Sequence, residues 1–172
     1  MNSMAPPSID DLLPSFARQI NDLLAERHIV APLLVGIRTG GVWIAQHLSE
    51  LLNLPGPLGR LDISFYRDDF TRVGMNPEVK PSYLPFSIDG RHLILVDDVL
   101  HTGRTIRAAL NELFDYGRPA GILLAVLVER SGRELPIQAD VVGLRLDLGP
   151  TDHVKLAGPE NLALLIQRAH SR

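Results

Sequence analysis

The chain has 172 residues, 45% apolar and 22% charged, enough for one globular domain with a full core and short for two. Cysteine is absent, which excludes disulfides and thiolate metal sites and suits a reducing compartment. A net charge of -3 excludes strong whole-molecule attraction to nucleic acid. No apolar run reaches membrane-spanning length, and MNSMAPPSID lacks the pattern of a secretion signal, so a cytoplasmic protein without membrane contact is expected.

Phe16, Ile20, Leu23 and Leu24 recur at helical spacing and predict a first helix from about Pro14. APLLVGI is a short β-rich run without polar alternation, as in a strand covered on both faces. RTGG ends it, and Ile44, Leu48 and Leu51 mark a second helix. RLDISFYR alternates, with Leu61, Ile63 and Phe65 against Asp62, Ser64 and Tyr66, which predicts a half-exposed strand near a sheet edge. From about residue 68 to 91 the pattern dissolves into a stretch with three prolines and two glycines. A loop so long inside a compact domain is usually functional, and a loose hairpin covering the site as a flexible lid is expected.

Regularity resumes with HLILVDD as a strand and RTIRAALNELFDYG as a helix. Ile106, Ala109, Leu110, Leu113 and Phe114 form the predicted buried stripe, and Gly117 suits the residue after the helix end. AGILLAVLVER is another strand buried on both faces, ADVVGLRL is a shorter one, and GPENLALLIQRAH predicts a closing helix. There is no internal repeat. Strands alternating with helices indicate an α/β fold with a mostly parallel central sheet flanked by helices. Ligands in such sheets sit beyond the carboxyl ends of the strands, where every candidate site here falls.

LILVDDVLHTGRT carries the chemistry. Asp97 and Asp98 follow a buried strand and are expected to face the crevice together, where their repulsion calls for a cation or hydroxyl donors. HTGRT then opens a helix, whose outward amides and dipole favour an anion such as phosphate. Gly103 permits close backbone approach, and Thr102 and Thr105 add hydroxyl donors. One loop thus offers acceptors for sugar hydroxyls and donors for phosphate, the needs of a sugar phosphate. The bland reading makes the aspartates a strand end and Thr102 an ordinary helix cap. GIRTGG alone divides evenly between an anion-gripping turn and a tight turn with a surface arginine.

The thirteen-residue string resembles the phosphoribosyl pyrophosphate (PRPP) signature of type I phosphoribosyltransferases, most closely the bifunctional pyrimidine operon attenuator/uracil phosphoribosyltransferase group. LVGIRTGG, DISFYRDDFT, YGRPAGILLAVLVER and RELPIQAD resemble segments of that group in the same order. The resemblance implies the type I fold as one domain over residues 1–172, with a lid at about 68–91 and a small hood from about 130 onward. It implies conversion of uracil and PRPP to UMP and pyrophosphate, with Mg2+ bound through PRPP and no metal ligated directly by the protein. By that pattern Asp97 and Asp98 hold the ribose hydroxyls, and Thr102, Gly103, Arg104 and Thr105 cradle the 5-phosphate. Arg38, Thr39 and Gly40 would grip pyrophosphate; residues 130–140 and the chain around Val154 would read the base, with Arg130 beside it.

Catalysis then rests on stabilising the departing diphosphate. Arg67 is a further phosphate-contact candidate, while Arg72 and Lys80 read first as solvated surface cations. His101 stands either as a solvent-facing residue or as an acceptor for the uracil proton; the other five histidines show no metal spacing. A homodimer or larger oligomer and an mRNA leader partner are also implied. Against RNA binding stand the missing cation at Gly40, where the group often carries arginine, and the added Asp147 and Asp152. Arg18, Arg60, Arg133, Arg145 and Lys155 are the cations that would need to share one face.

Overall fold

The uninterrupted apolar runs form the interior of one sheet. The computed structural model describes residues 6–64 and 82–168. In it β1 (Leu33–Ile37), β2 (Gly59–Leu61), β3 (His92–Leu100), β4 (Gly121–Arg130) and β5 (Val141–Leu146) build a five-stranded sheet in the order β2-β1-β3-β4-β5. All four pairings are parallel.

Two cores cover the two faces. Leu34, Ile94 and Val96 pack with α1 (Ile9–Glu26) and α2 (Gly40–Leu51), whereas Val35, Ile37, Leu93 and Leu95 pack with α3 (Arg104–Tyr116). Strand alternation thereby fixes which residues at the strand ends look towards α2.

Several boundaries differ from the sequence expectations. Helix α1 begins at Ile9, because Ser8 caps it by accepting from the Asp10 amide at 3.2 Å, and Pro14 sits inside the helix. β2 ends at Leu61: the Asp62 amide donates to Ser82 Oγ at 2.8 Å, and the Ser64 amide donates to Asp62 Oδ1 at 3.0 Å. A local side-chain turn therefore replaces the ladder there. Of the expected lid, residues 82–91 pack on the body, with Tyr83 bridging Arg60, Leu84 and Phe86 against the α3-side core, and Ile88 buried. The rest of that stretch, with Arg67, Arg72 and Lys80, lies outside the described residues.

On α3 the buried stripe is Ile106, Ala108, Ala109 and Leu113, while Phe114 is exposed with Arg118 over its ring. Gly117 has an extended backbone; crowding explains it, since a Cβ would lie 2.6 Å from Asp89 Oδ1. The expected closing helix is instead an antiparallel hairpin of β6 (His153–Ala157) and β7 (Ala163–Gln167). Leu164 and Ile166 turn inward and Ala163, Leu165 and Gln167 outward, so a period of two prevails over the helical reading of the same leucines. The region beyond residue 130 is divided, since β5 belongs to the main sheet and only the flanking loops and the hairpin stand over the strand ends.

Candidate functional site

The acid pair does not present two charges side by side. Asp97 is only 2% exposed, while Asp98 is half-buried and lies towards α2 with Ile94 and Val96. The Asp98 amide donates to Asp97 Oδ1 at 3.0 Å, and the Val99 amide to Asp98 Oδ1 at 3.0 Å. Each carboxylate thus holds the next amide. Beyond Asp98 strict alternation fails, with Val99 packed on the α1–α2 core and Leu100 in the α3 core. The strand continues to Leu100 instead of stopping at the acids.

Three residues later α3 begins. Gly103 precedes it with φ 96°, in the left-handed region. Thr102 Oγ1 accepts from the Arg104 amide at 3.2 Å, so the capping reading of Thr102 is also realised. The amides of Gly103, Thr105 and Ile106 meet no acceptor among the described residues, as first-turn amides do unless a ligand or side chain arrives. The loop is braced from behind: Glu134 and Leu135 amides donate to the Thr102 carbonyl, each at 3.0 Å, and Arg104 Nε donates to Glu134 at 3.0 Å. The RELPIQ stretch therefore shapes the loop of residues 102–105 directly.

At the end of β1, the Arg38 amide donates to the Leu61 carbonyl at 2.9 Å, and the Arg38–Thr39 peptide bond is cis. Gly40 and Gly41 start α2 against β3. A Cβ on Gly40 would lie 2.4 Å from Asp98 Oδ2, and one on Gly41 2.4 Å from the Val96 carbonyl oxygen. Any side chain at position 40 would have to displace the Asp98 carboxylate. This contact also joins the turn after β1 to the acid of β3.

Thr39, Gly40 and Asp98 form one side of a cleft of about 600 Å³; Val154 and its hairpin neighbours form the other. Trp43 and Gln167 also line it and were missed as site residues by sequence reasoning, whereas His153 and Lys155, which line it too, belong to the chain expected around Val154. Trp43, three residues after Gly40, was the one with a signal: it shares the first turns of a helix that starts at the site. Arg38, Asp97 and residues 102–105 do not line this cleft.

Arg130 is buried and faces backbone. Its guanidinium donates to the carbonyls of Ser131 at 3.2 Å, Asp152 at 2.5 Å and Gly149 at 2.8 Å. It ties the loop before β6 to the end of β4. Arg130 also borders a second cleft of about 490 Å³ with Arg133 and Arg145. Both of those cations pair with Glu129, at 2.8 and 3.0 Å. They sit near the β4–β5 edge, at the opposite end of the strand order from Arg60 on β2.

His101 links the loop of residues 102–105 to this region. Its carbonyl accepts from Arg133, and a Cβ on Gly132 would lie 2.8 Å from its Nε2. Burial first, then the Arg130 guanidinium, hold its pKa below the ordinary value; Arg133 and His153 act in the same direction and Glu134 against them. Among the described residues no cluster of three or more metal-ligating side chains occurs, and no helix is long and apolar enough to cross a membrane.

Residues 7–160 match the phosphoribosyl transferase domain family. Bifunctional protein PyrR of Nitrosococcus oceani is 60% identical over 171 residues, covering 97% of each chain. Bifunctional protein PyrR of Pseudomonas paraeruginosa is 59% identical over 161 residues, covering 94% of this chain and 95% of its own. Among solved structures, a hypoxanthine phosphoribosyltransferase from Staphylococcus aureus superposes with a TM-score of 0.65 at 20% identity, covering 90% of this chain and 86% of its own. That likeness is one of fold.

Proposed function

The chain belongs to the phosphoribosyl transferase family, in its bifunctional PyrR group, and from that premise we propose how its residues carry the reaction. The protein is a uracil phosphoribosyltransferase of the type I fold, converting uracil and PRPP to UMP and pyrophosphate, with a second role in regulating pyrimidine synthesis. The observation that carries the site assignment is the contact between Gly40 and the Asp98 carboxylate, which puts an anion-gripping turn against a hydroxyl acceptor.

Asp98 accepts from the ribose hydroxyls, and Asp97 holds the Asp98 amide so that this carboxylate keeps its place. The amides of Gly103, Thr105 and Ile106, with the Thr102 and Thr105 hydroxyls, take the 5-phosphate. Arg104, turned to Glu134, braces that loop. Arg38 and the amides after it stabilise the diphosphate as the anomeric bond breaks and negative charge grows on it. Mg2+ would be held largely by the hard oxygens of PRPP itself and would neutralise charge on the leaving group.

Val154 and the neighbouring hairpin backbone read the uracil edge. Arg130 is a positioning residue that sets the loop before that hairpin. His101, held neutral by its surroundings, accepts the proton that uracil loses.

The regulatory role is assigned to binding a pyrimidine leader transcript in response to UMP, by a homodimer or larger assembly. With Arg133 and Arg145 both paired to Glu129, RNA affinity is expected to be modest and to fall with salt. Pyrophosphate release from PRPP with uracil, orotate, hypoxanthine and adenine offered separately tests the enzymatic reading. Turnover with uracil alone is expected. A different preferred base reassigns the base site, and saturable UMP binding without turnover makes the protein a nucleotide sensor.

A further inference from the structure

Of the buried side-chain nitrogens and oxygens among the described residues, two lack a hydrogen-bond partner: Arg38 Nε and Arg60 Nε. Neither guanidinium has an ion pair among the described residues. A buried N–H without an acceptor is destabilising, so two such groups on neighbouring strands call for an acceptor, and an anionic ligand supplies one.

The sheet register brings them together. Gly36 pairs with Arg60, and Arg38 lies two residues beyond Gly36. Residues two apart share a face, so both side chains rise on the side of the sheet that α2 covers. Strand spacing and rise put their Cα atoms about 8 Å apart on the diagonal. Gly36 lacks a side chain between them; a Cβ there would lie 2.7 Å from Val42 Cα. Val96, which also pairs with Gly36, carries the same face across to Asp98 two residues on. From β2 to β3 that face therefore presents Arg60, Arg38 and then Asp98, two cations followed by the ribose acid.

Resting on the PRPP reading above, we propose that Arg60 is a second cation for the diphosphate. It would engage the phosphate farther from the ribose while Arg38 holds the nearer one. A leaving group with several negative charges matches a pair of guanidiniums aligned away from the sugar site. No other arginine on the sheet combines a buried, unpartnered Nε with this row.

The test is calorimetric titration of magnesium pyrophosphate and, separately, UMP into the full-length wild type, Arg60→Gln and Arg60→Lys. UMP lacks the diphosphate and serves as the internal control. Arg60→Gln is expected to weaken pyrophosphate about tenfold, the scale of one lost charge-assisted contact, and to leave UMP affinity unchanged. Arg60→Lys keeps the charge without the planar fork and is expected to fall between. If Arg60→Gln does not fold, the lysine variant decides: unaltered pyrophosphate affinity overturns the proposal. Equal weakening of both ligands also overturns it, since that marks a structural role. Wild-type protein that binds UMP but not pyrophosphate refutes it as well. Wild-type protein that binds neither refutes the phosphoribosyltransferase site itself.

Discussion

Two turns in this molecule do related work by opposite means. After β3, the chain swings out through Gly103 and leaves several amides without protein acceptors at the start of α3. After β1, the chain swings inward, and Gly40 and Gly41 press α2 against the neighbouring strand. The first glycine serves a backbone conformation; the second pair serves contact distance. The first turn leaves donors open, as the proposed phosphate contact requires, and the second is a spacer that sets where Asp98 stands relative to the end of β1. Two short glycine-bearing turns therefore carry different tolerances.

Replacing the acid between them has the largest expected effect. Asp98→Asn should lower kcat/KM by about 100-fold or more while the protein keeps its melting temperature, because the carboxamide fills the same space. Full activity in this variant removes the ribose role assigned to it.

The two kinds of glycine should then separate. Gly40→Ala places a carbon 2.4 Å from Asp98 Oδ2 and should cost about 1–3 kcal/mol in urea unfolding, with a raised KM for PRPP. Gly103→Ala meets nothing closer than 3.4 Å and should cost only the left-handed backbone penalty, about 1–2 kcal/mol. If Gly103→Ala raises the KM for PRPP more than Gly40→Ala does, the spacer account of the turn after β1 fails.

The smallest effect is a change of shape. His101 is held below the ordinary histidine pKa by burial and Arg130, with Arg133 and His153 assisting and Glu134 opposing. Its neutral form therefore dominates at pH 7, and wild-type kcat should fall as pH drops through a value below 6.5. His101→Gln should flatten that acidic limb. An unchanged limb in the variant assigns the proton to another acceptor.

Legibility followed the range of the interactions. The β3–α3 string announced itself because a buried strand, two acids, a glycine and a helix start are consecutive, and each obeys a local rule. The partner turn was ambiguous because the reason for Gly40 lies in Asp98, 58 positions away in the chain. The opposite environments of Asp97 and Asp98 follow from strand alternation, which was available but overridden by the idea of paired charges. The closing hairpin was read as helix because a short leucine-rich run satisfies both periods, and only packing on the α1–α2 core selects one. Arg130 looked like a charge at a strand end because the carbonyls it holds, at Gly149 and Asp152, have no sequence signature.

A fastener that grips peptide oxygens is indifferent to which amino acids supply them. As far as this clasp is concerned, the residues of the loop it holds can change, while the hairpin stays anchored by Leu156 and Leu164 in the core beneath it.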